Sequence, residues 1–186
     1  IFRDIRDNFS ADMWKEMGYA AKPSTFSETE IPITIFILIL IGAVVAVKNS
    51  FKAFMIAHVF ILIGFVVAGL STYFFTQKLL DPFWWMLLVG LGLYLVYIPF
   101  NSIYFDRLIA AYSIKGNAGF FIYLADSIGY VGSVTVMLVK EGMTLEIEWT
   151  SFFAQSVMIL SFVGLFITAY AMYYFASKSR MTPLIQ

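Results

Sequence analysis

Hydrophobic residues in this chain come in five long runs, at 33–47, 51–75, 83–103, 118–139 and 149–176, separated by short polar connections. A hydrocarbon core about 30 Å thick needs roughly 20 helical residues to cross it, and most of the runs reach that length without an unpaired charge. The runs are apolar on all sides, whereas the strands of a membrane barrel would alternate at period 2. They therefore predict helices at about 31–48, 51–76, 82–104, 117–140 and 149–177.

The opening segment breaks this pattern. On a helix at about 1–20, Arg3, Asp4, Asp7, Asn8, Asp12 and Lys15 share one stripe, and Phe2, Ile5, Phe9 and Met13 cover much of the rest. Such a helix could lie along a membrane surface. It could also span the membrane with its polar stripe turned to a water-filled cavity, where Arg3 and Asp7 pair at i, i+4. Topology favours the second placement, because it gives six helices and puts Arg3 and Arg6 on the basic side defined below.

Composition agrees with the runs: 61% of residues are hydrophobic and 13% charged, against roughly 25% charged in a soluble domain. The fold class expected is an all-α membrane protein forming one transmembrane helical domain over 1–186. Twelve basic and twelve acidic residues cancel, which argues against a nucleic-acid partner. Without cysteine, disulfides and thiolate metal sites are excluded, and a single histidine, His58, excludes histidine-rich metal or haem sites. The chain shows no phosphate loop, nucleophile elbow or metal-ligand cluster. Neither an enzyme nor a cofactor or metal is expected. The start at Ile1, with no signal-peptide pattern, reads as a piece of a longer protein.

Basic residues at the helix ends set the orientation. A weaving chain places Lys48, Lys52, Arg107, Lys115, Lys178 and Arg180 on one side. Lys22, Lys78 and Lys140 fall on the other, diluted by Glu28, Glu30, Asp81, Glu141, Glu146 and Glu148. The first side, and with it the C-terminus, is expected to be cytoplasmic.

Candidate chemistry lies in polar groups at membrane depth. Asp126, near the middle of the fifth helix, is the sharpest: such a carboxylate usually faces the bundle interior and marks an ion or substrate path. The alternatives are a structural pair with a basic residue or a cap on a broken helix. Tyr94, Tyr97 and Asn101 share one face of the fourth helix, and Pro99 should kink it, making a cavity wall with a hinge or an interfacial girdle. Phe105-Asp106-Arg107 should end that helix, with Asp106, Arg107, Lys48 and Lys52 as a cytoplasmic gate or loop anchor. Small residues at Ala125, Gly129 and Ser133, at Gly64 and Ala68, and at Gly42 and Ala46 permit close helix contact. Trp84, Trp85 and Trp149 are placed as an outer aromatic belt, and His58 as a residue bonded to a neighbouring helix.

The short basic turn Lys48-Asn49-Ser50-Phe51-Lys52 sits between the second and third helices, as in each half of a major facilitator superfamily (MFS) transporter, although it lacks that signature's Gly-x-x-x-Asp-Arg start. The stretches Phe2-Arg3-Asp4-Ile5-Arg6-Asp7-Asn8-Phe9, Tyr97-Ile98-Pro99-Phe100-Asn101, Phe105-Asp106-Arg107-Leu108-Ile109-Ala110-Ala111 and Tyr123-Leu124-Ala125-Asp126-Ser127-Ile128-Gly129-Tyr130 carry a fuller likeness. In them the chain resembles a bacterial family of multi-pass proteins of unknown function, itself similar to the MFS. That resemblance implies the C-terminal six-helix half of a transporter of about twelve helices, in the bacterial inner membrane, but no substrate. The expected partners are the lipid bilayer, the N-terminal half of the same protein, and a small solute with H+ or Na+. The path would be lined by Arg3, Asp4, Arg6, Asp7, Asn8, Tyr94, Tyr97, Asn101 and Asp126. The other class in play is a non-transporting assembly or sensor subunit, whose polar residues only hold helices together.

Overall fold

A computed structural model describes residues 1–19, 23–142 and 148–181. Lys22, Glu146 and the side chains of Lys140, Glu141 and Arg180, used in the orientation argument, lie outside the described residues. The chain folds into α1 (Phe2–Glu16), α2 (Pro23–Val45), α3 (Ser50–Thr76), α4 (Pro82–Pro99), a π-helical turn (Phe100–Tyr104), α5 (Phe105–Tyr112), α6 (Ala118–Gly142) and α7 (Trp149–Met181). Because α4, the π turn and α5 form one rod, the described residues make six helical rods. Five of them, at Thr25–Val45, Ser50–Thr76, Pro82–Tyr112, Ala118–Val139 and Trp149–Ser179, are long and apolar enough to cross a membrane. The remaining one, α1, is the amphipathic segment.

Two boundaries differ from expectation. Helix α2 begins at Pro23 rather than near 31 and passes through Pro32, which costs the ladder the bond to the residue 28 carbonyl. The fourth rod does not stop at Phe105-Asp106-Arg107. It widens into the π turn directly after Pro99 and ends at Tyr112, where Ser113 takes a left-handed φ of 49°. Pro99 has no N–H to give, so the regular ladder opens there, and Ser102 Oγ takes up the Ile98 carbonyl at 2.6 Å. Elsewhere the caps are legible in the residues: Asn49 accepts the Lys52 N–H at 2.8 Å to start α3, and Asp81 accepts the Phe83 N–H at 2.8 Å to start α4.

Helix α3 is the centre of the bundle, packed along α4 and α7 and touching α2 and α5, while α1 lies across α4, α7 and α6. Lipid tails are as apolar as leucine, so packing and polar links, rather than a hydrophobic drive, hold such helices together. At Gly92 a Cβ would lie 2.7 Å from both the Ala68 nitrogen and the Gly64 oxygen, so the α3 and α4 backbones touch. The Gly64 and Ala68 row is that contact. By contrast, Gly42 has nothing within 4 Å.

The tryptophan belt needs correction. Trp84 is exposed, but Trp85 is fully buried, stacked on Phe75 at 3.8 Å, with Nε1 donating to Thr72 Oγ1 at 3.1 Å. Trp149 is also interior, stacked on Phe9 at 4.1 Å. An indole whose N–H finds a partner inside packs as core. Outward-facing apolar side chains instead cover α2, α6 and α7, as at Leu38, Val131 and Phe166. Helix α6 is the least embedded rod and docks chiefly through α5 and α1, with Asp126 reaching the π turn.

Candidate functional site

Helix α1 runs antiparallel to α4, which places its charges along one side of that helix. Trp14 meets Phe83, Arg6 meets Met86 and Gly90, and Arg3 meets Tyr94 and Tyr97. From Met86 to Asn101 the polar contacts extend along roughly 22 Å of the rod formed by α4 and the π turn, at about 1.5 Å per residue. Charges from α2 and α6 join the same seam.

Where α4 gives way to the π turn, Asn101 Nδ2 donates to Asp126 Oδ1 at 2.7 Å. Asp126 is half-buried and has no basic partner among the described residues. The ion-pair alternative for Asp126 is therefore not what the structure shows; an amide holds it instead. The Arg3 guanidinium lies 4.2 Å from the centre of the Tyr97 ring and donates to Asp4 Oδ1 at 2.8 Å. Its expected pair with Asp7 is longer, at 3.9 Å. Asp4 in turn accepts Ser133 Oγ at 3.0 Å, so the small-residue row of α6 faces α1. Arg3, Asp4, Tyr97, Asn101 and Asp126 line a cavity of about 130 Å³.

Toward the start of α4, Arg6 is 2% exposed. Its Nη1 lies 2.6 Å from Glu30 Oε1 and 3.2 Å from Asp7 Oδ1, and Nη2 donates to the Met86 carbonyl at 3.0 Å. Nε has no partner. The guanidinium lies so close to α4 that a Cβ on Gly90 would be 2.6 Å from its Cζ. Arg6, Asp7, Glu30 and Tyr94 border a second cavity, of about 240 Å³. Asn8, also on the predicted stripe, is exposed and among the described residues reaches only Met137 Sδ, at 3.9 Å.

The cytoplasmic-gate candidates are dispersed. Lys48, Lys52 and Asp106 are exposed and form no ion pair among the described residues, while Arg107 Nη2 lies 3.4 Å from the Val45 carbonyl at the end of α2. His58 is buried; Nδ1 sits 2.9 Å from the Phe54 carbonyl and Nε2 3.3 Å from the Tyr104 hydroxyl in the π turn. No three His, Cys, Asp or Glu side chains among the described residues converge as a metal site. A larger recess of about 750 Å³ opens at the helix ends beside Lys78, Asp81 and Gln155. Its Asp81 already caps α4 and accepts the Tyr19 hydroxyl at 2.9 Å, a bond that holds the Tyr19 phenol above its usual pKa.

Over residues 1–178 the chain matches the family of unknown function DUF5690. It belongs to that family. No curated protein matches it, and neither does any solved structure. The DUF5690 match takes in the whole seam from Arg3 to Asp126.

Three seam residues escaped the sequence reading. Glu30 had been counted as a loop charge and enters α2 only because that helix starts at Pro23. Gly90 gave a weak signal, the Gly-x-Gly spacing with Gly92 inside an apolar run. Glu16 gave none: its carboxylate accepts the Trp149 and Thr150 N–H groups and the Thr150 hydroxyl, at 2.9, 2.8 and 2.7 Å, which pins α1 to the start of α7.

Proposed function

We propose that this chain is the six-helix half of an MFS-like secondary transporter, and that a small solute passes along the seam between α1, α4 and α6. The supporting observation is the seam itself: charged groups set along a helix long enough to cross a membrane, and left partly open. Side-chain exposures of 28% for Arg3, 40% for Asp7 and 31% for Glu30 leave one face of the bundle charged and uncovered. Each charge set at the bilayer centre costs about 2.5–3.5 kcal/mol on insertion scales. Such a face belongs against water or against a second half that encloses water. Alternating access places binding sites at this depth, between halves. In this reading the protein sits in the bacterial inner membrane with its C-terminus cytoplasmic, and an H+ or Na+ gradient drives uptake.

The pairing of Arg3 with Asp4 and of Arg6 with Glu30 favours the second reading, an assembly or sensor subunit whose charges only fasten helices. Flux separates the two. The full-length protein in liposomes, given an H+ or Na+ gradient and pooled labelled solutes, is expected to accumulate at least one of them. Asp126→Asn keeps an oxygen for Asn101 and removes the charge, so uptake should be lost while expression and melting temperature stay near wild type. Undiminished gradient-driven uptake by the variant would remove Asp126 from the path, and no uptake of any solute by the wild type would favour the subunit reading.

A further inference from the structure

Helix α3 packs along both α4 and α7, and beside the π turn a gap remains between those two flanks, a cavity of about 270 Å³. His58 and Phe65 of α3 form its floor, Phe100 and Tyr104 of the π turn one wall, and Thr168 and Ala171 of α7 the other. Among the described residues, no Asp, Glu, Lys or Arg lines it. Thr168 gives the cavity its chemistry. This residue is 9% exposed, and its hydroxyl makes no hydrogen bond among the described residues. A hydroxyl on a helix commonly donates to the carbonyl four residues earlier, as Ser127, Ser133 and Thr135 do in α6. Ser161 of α7 also lacks a partner, but its oxygen is sealed against α3 at Gly69. The Thr168 oxygen is not sealed, and its side chain borders the cavity.

The π turn supplies a second polar group. His58 Nδ1 sits 2.9 Å from the Phe54 carbonyl, which only accepts, so Nε2 takes the Tyr104 proton at 3.3 Å. The Tyr104 oxygen has then spent its one proton and can only accept. We propose that this cavity binds a small neutral phenol with short alkyl substituents. Its hydroxyl accepts from Thr168 and donates to the Tyr104 oxygen, a pairing that needs one group able to do both. Phe100 and Tyr104, with ring centres 5.3 Å apart, make an aromatic wall opposite the aliphatic side of α7, and Phe65 adds a third ring. Rings pack well against such a wall. A dry cavity of about 150 Å³ admits benzene, so about 270 Å³ leaves room for substituents. A carboxylate or an ammonium would meet no counter-charge here, which is costly away from water. A plain hydrocarbon would leave the Thr168 hydroxyl unanswered. The site is separate from the charged seam, although Phe100 borders both, and its occupancy does not depend on the transport reading.

The test is photolabelling of the full-length protein in nanodiscs with a phenol that carries a trifluoromethyl diazirine, the labelled residues being mapped by mass spectrometry. Saturable labelling is expected at the cavity walls in α3, the π turn and α7. Unlabelled 3,5-dimethylphenol should compete. Mesitylene, which has a methyl in place of the hydroxyl, and 3,5-dimethylbenzoate should each need at least about tenfold more, because a site built to hydrogen-bond a hydroxyl rejects the analogue without it. Thr168→Val keeps the side chain's shape and removes its donor, so competition by 3,5-dimethylphenol should weaken about three- to tenfold. Ala171→Leu fills the cavity and should abolish the saturable labelling. If either variant fails to fold, the order of the wild-type competitors decides alone. Mesitylene or dimethylbenzoate matching the phenol overturns the proposal, as does full competition in a folded Thr168→Val protein or undiminished labelling in a folded Ala171→Leu protein. Label spread over the outward faces of α2, α6 and α7 without saturation overturns it too, since the cavity would then hold only what the bilayer holds.

Discussion

At the residue scale, the tightest constraint is the contact between Arg6 and Gly90. A buried guanidinium is tolerable only where its charge is answered, and Arg6 reaches Glu30, Asp7 and the Met86 carbonyl because nothing projects from α4 at position 90. Gly90→Ala puts a methyl 2.6 Å from Cζ, and the side chain, 2% exposed, has to shift against its packed surroundings to admit it. The expected cost is about 1–3 kcal/mol, typical of overpacking, read as a lower unfolding midpoint. Gly42→Ala is the matched control: with open space around it, it should be neutral or stabilising by up to about 1 kcal/mol through helix propensity. Equal effects at the two glycines would contradict the Arg6 contact. This detail was only partly legible in the sequence. Arg6 could be placed on a polar stripe by periodicity, but its neighbours come from α2 and α4, and no local spacing encodes which glycine it approaches.

At the scale of elements, the break in the fourth rod is where the chain shows most design. Pro99 announces a kink, and that much was legible; the form it takes, a π turn that carries the helix on to Tyr112, depends on what the turn packs against. Tyr104 in that turn meets His58 of α3. Since His58 Nδ1 faces the Phe54 carbonyl, which only accepts, Nδ1 carries the proton. Nε2 is then the acceptor, and the Tyr104 hydroxyl donates. Tyr104→Phe keeps the ring contacts and removes that donor, so the unfolding free energy should fall by about 1 kcal/mol; unchanged stability would mean the bond carries no weight. The pinning of α7 by Glu16 was illegible for a different reason: donor and acceptor stand far apart in the chain, and an exposed glutamate at a helix end looks like any solvated charge.

For the whole molecule, run length alone foretold five rods able to cross a membrane, because the thickness of the hydrocarbon layer is written directly into the sequence. The seat of α1 was not, since an amphipathic helix satisfies its polar stripe equally well at a surface or inside a bundle. The alternating topology has a clean test, because the chain contains no cysteine. Single cysteines at Ser50 and Leu79 flank α3 and should be labelled by an impermeant reagent from opposite faces, Ser50 from the cytoplasmic one. Labelling of both from the same face would end the topology.

Helices α3 and α7 carry no acidic or basic side chain between Lys52 and Lys78 or between Trp149 and Lys178, His58 apart. Among the described residues, the charge along the seam belongs to α1, α2 and α6. The bundle therefore has a back and a front, like a half-cylinder cut lengthwise. Acyl chains can wrap the curved back, where every neighbour is hydrocarbon, but on the cut face they would have to lie against Arg3, Asp7 and Glu30. In the transporter reading proposed above, a closed ring of boundary lipid does not form around this chain, and a wet or polar neighbour completes the circle on that side.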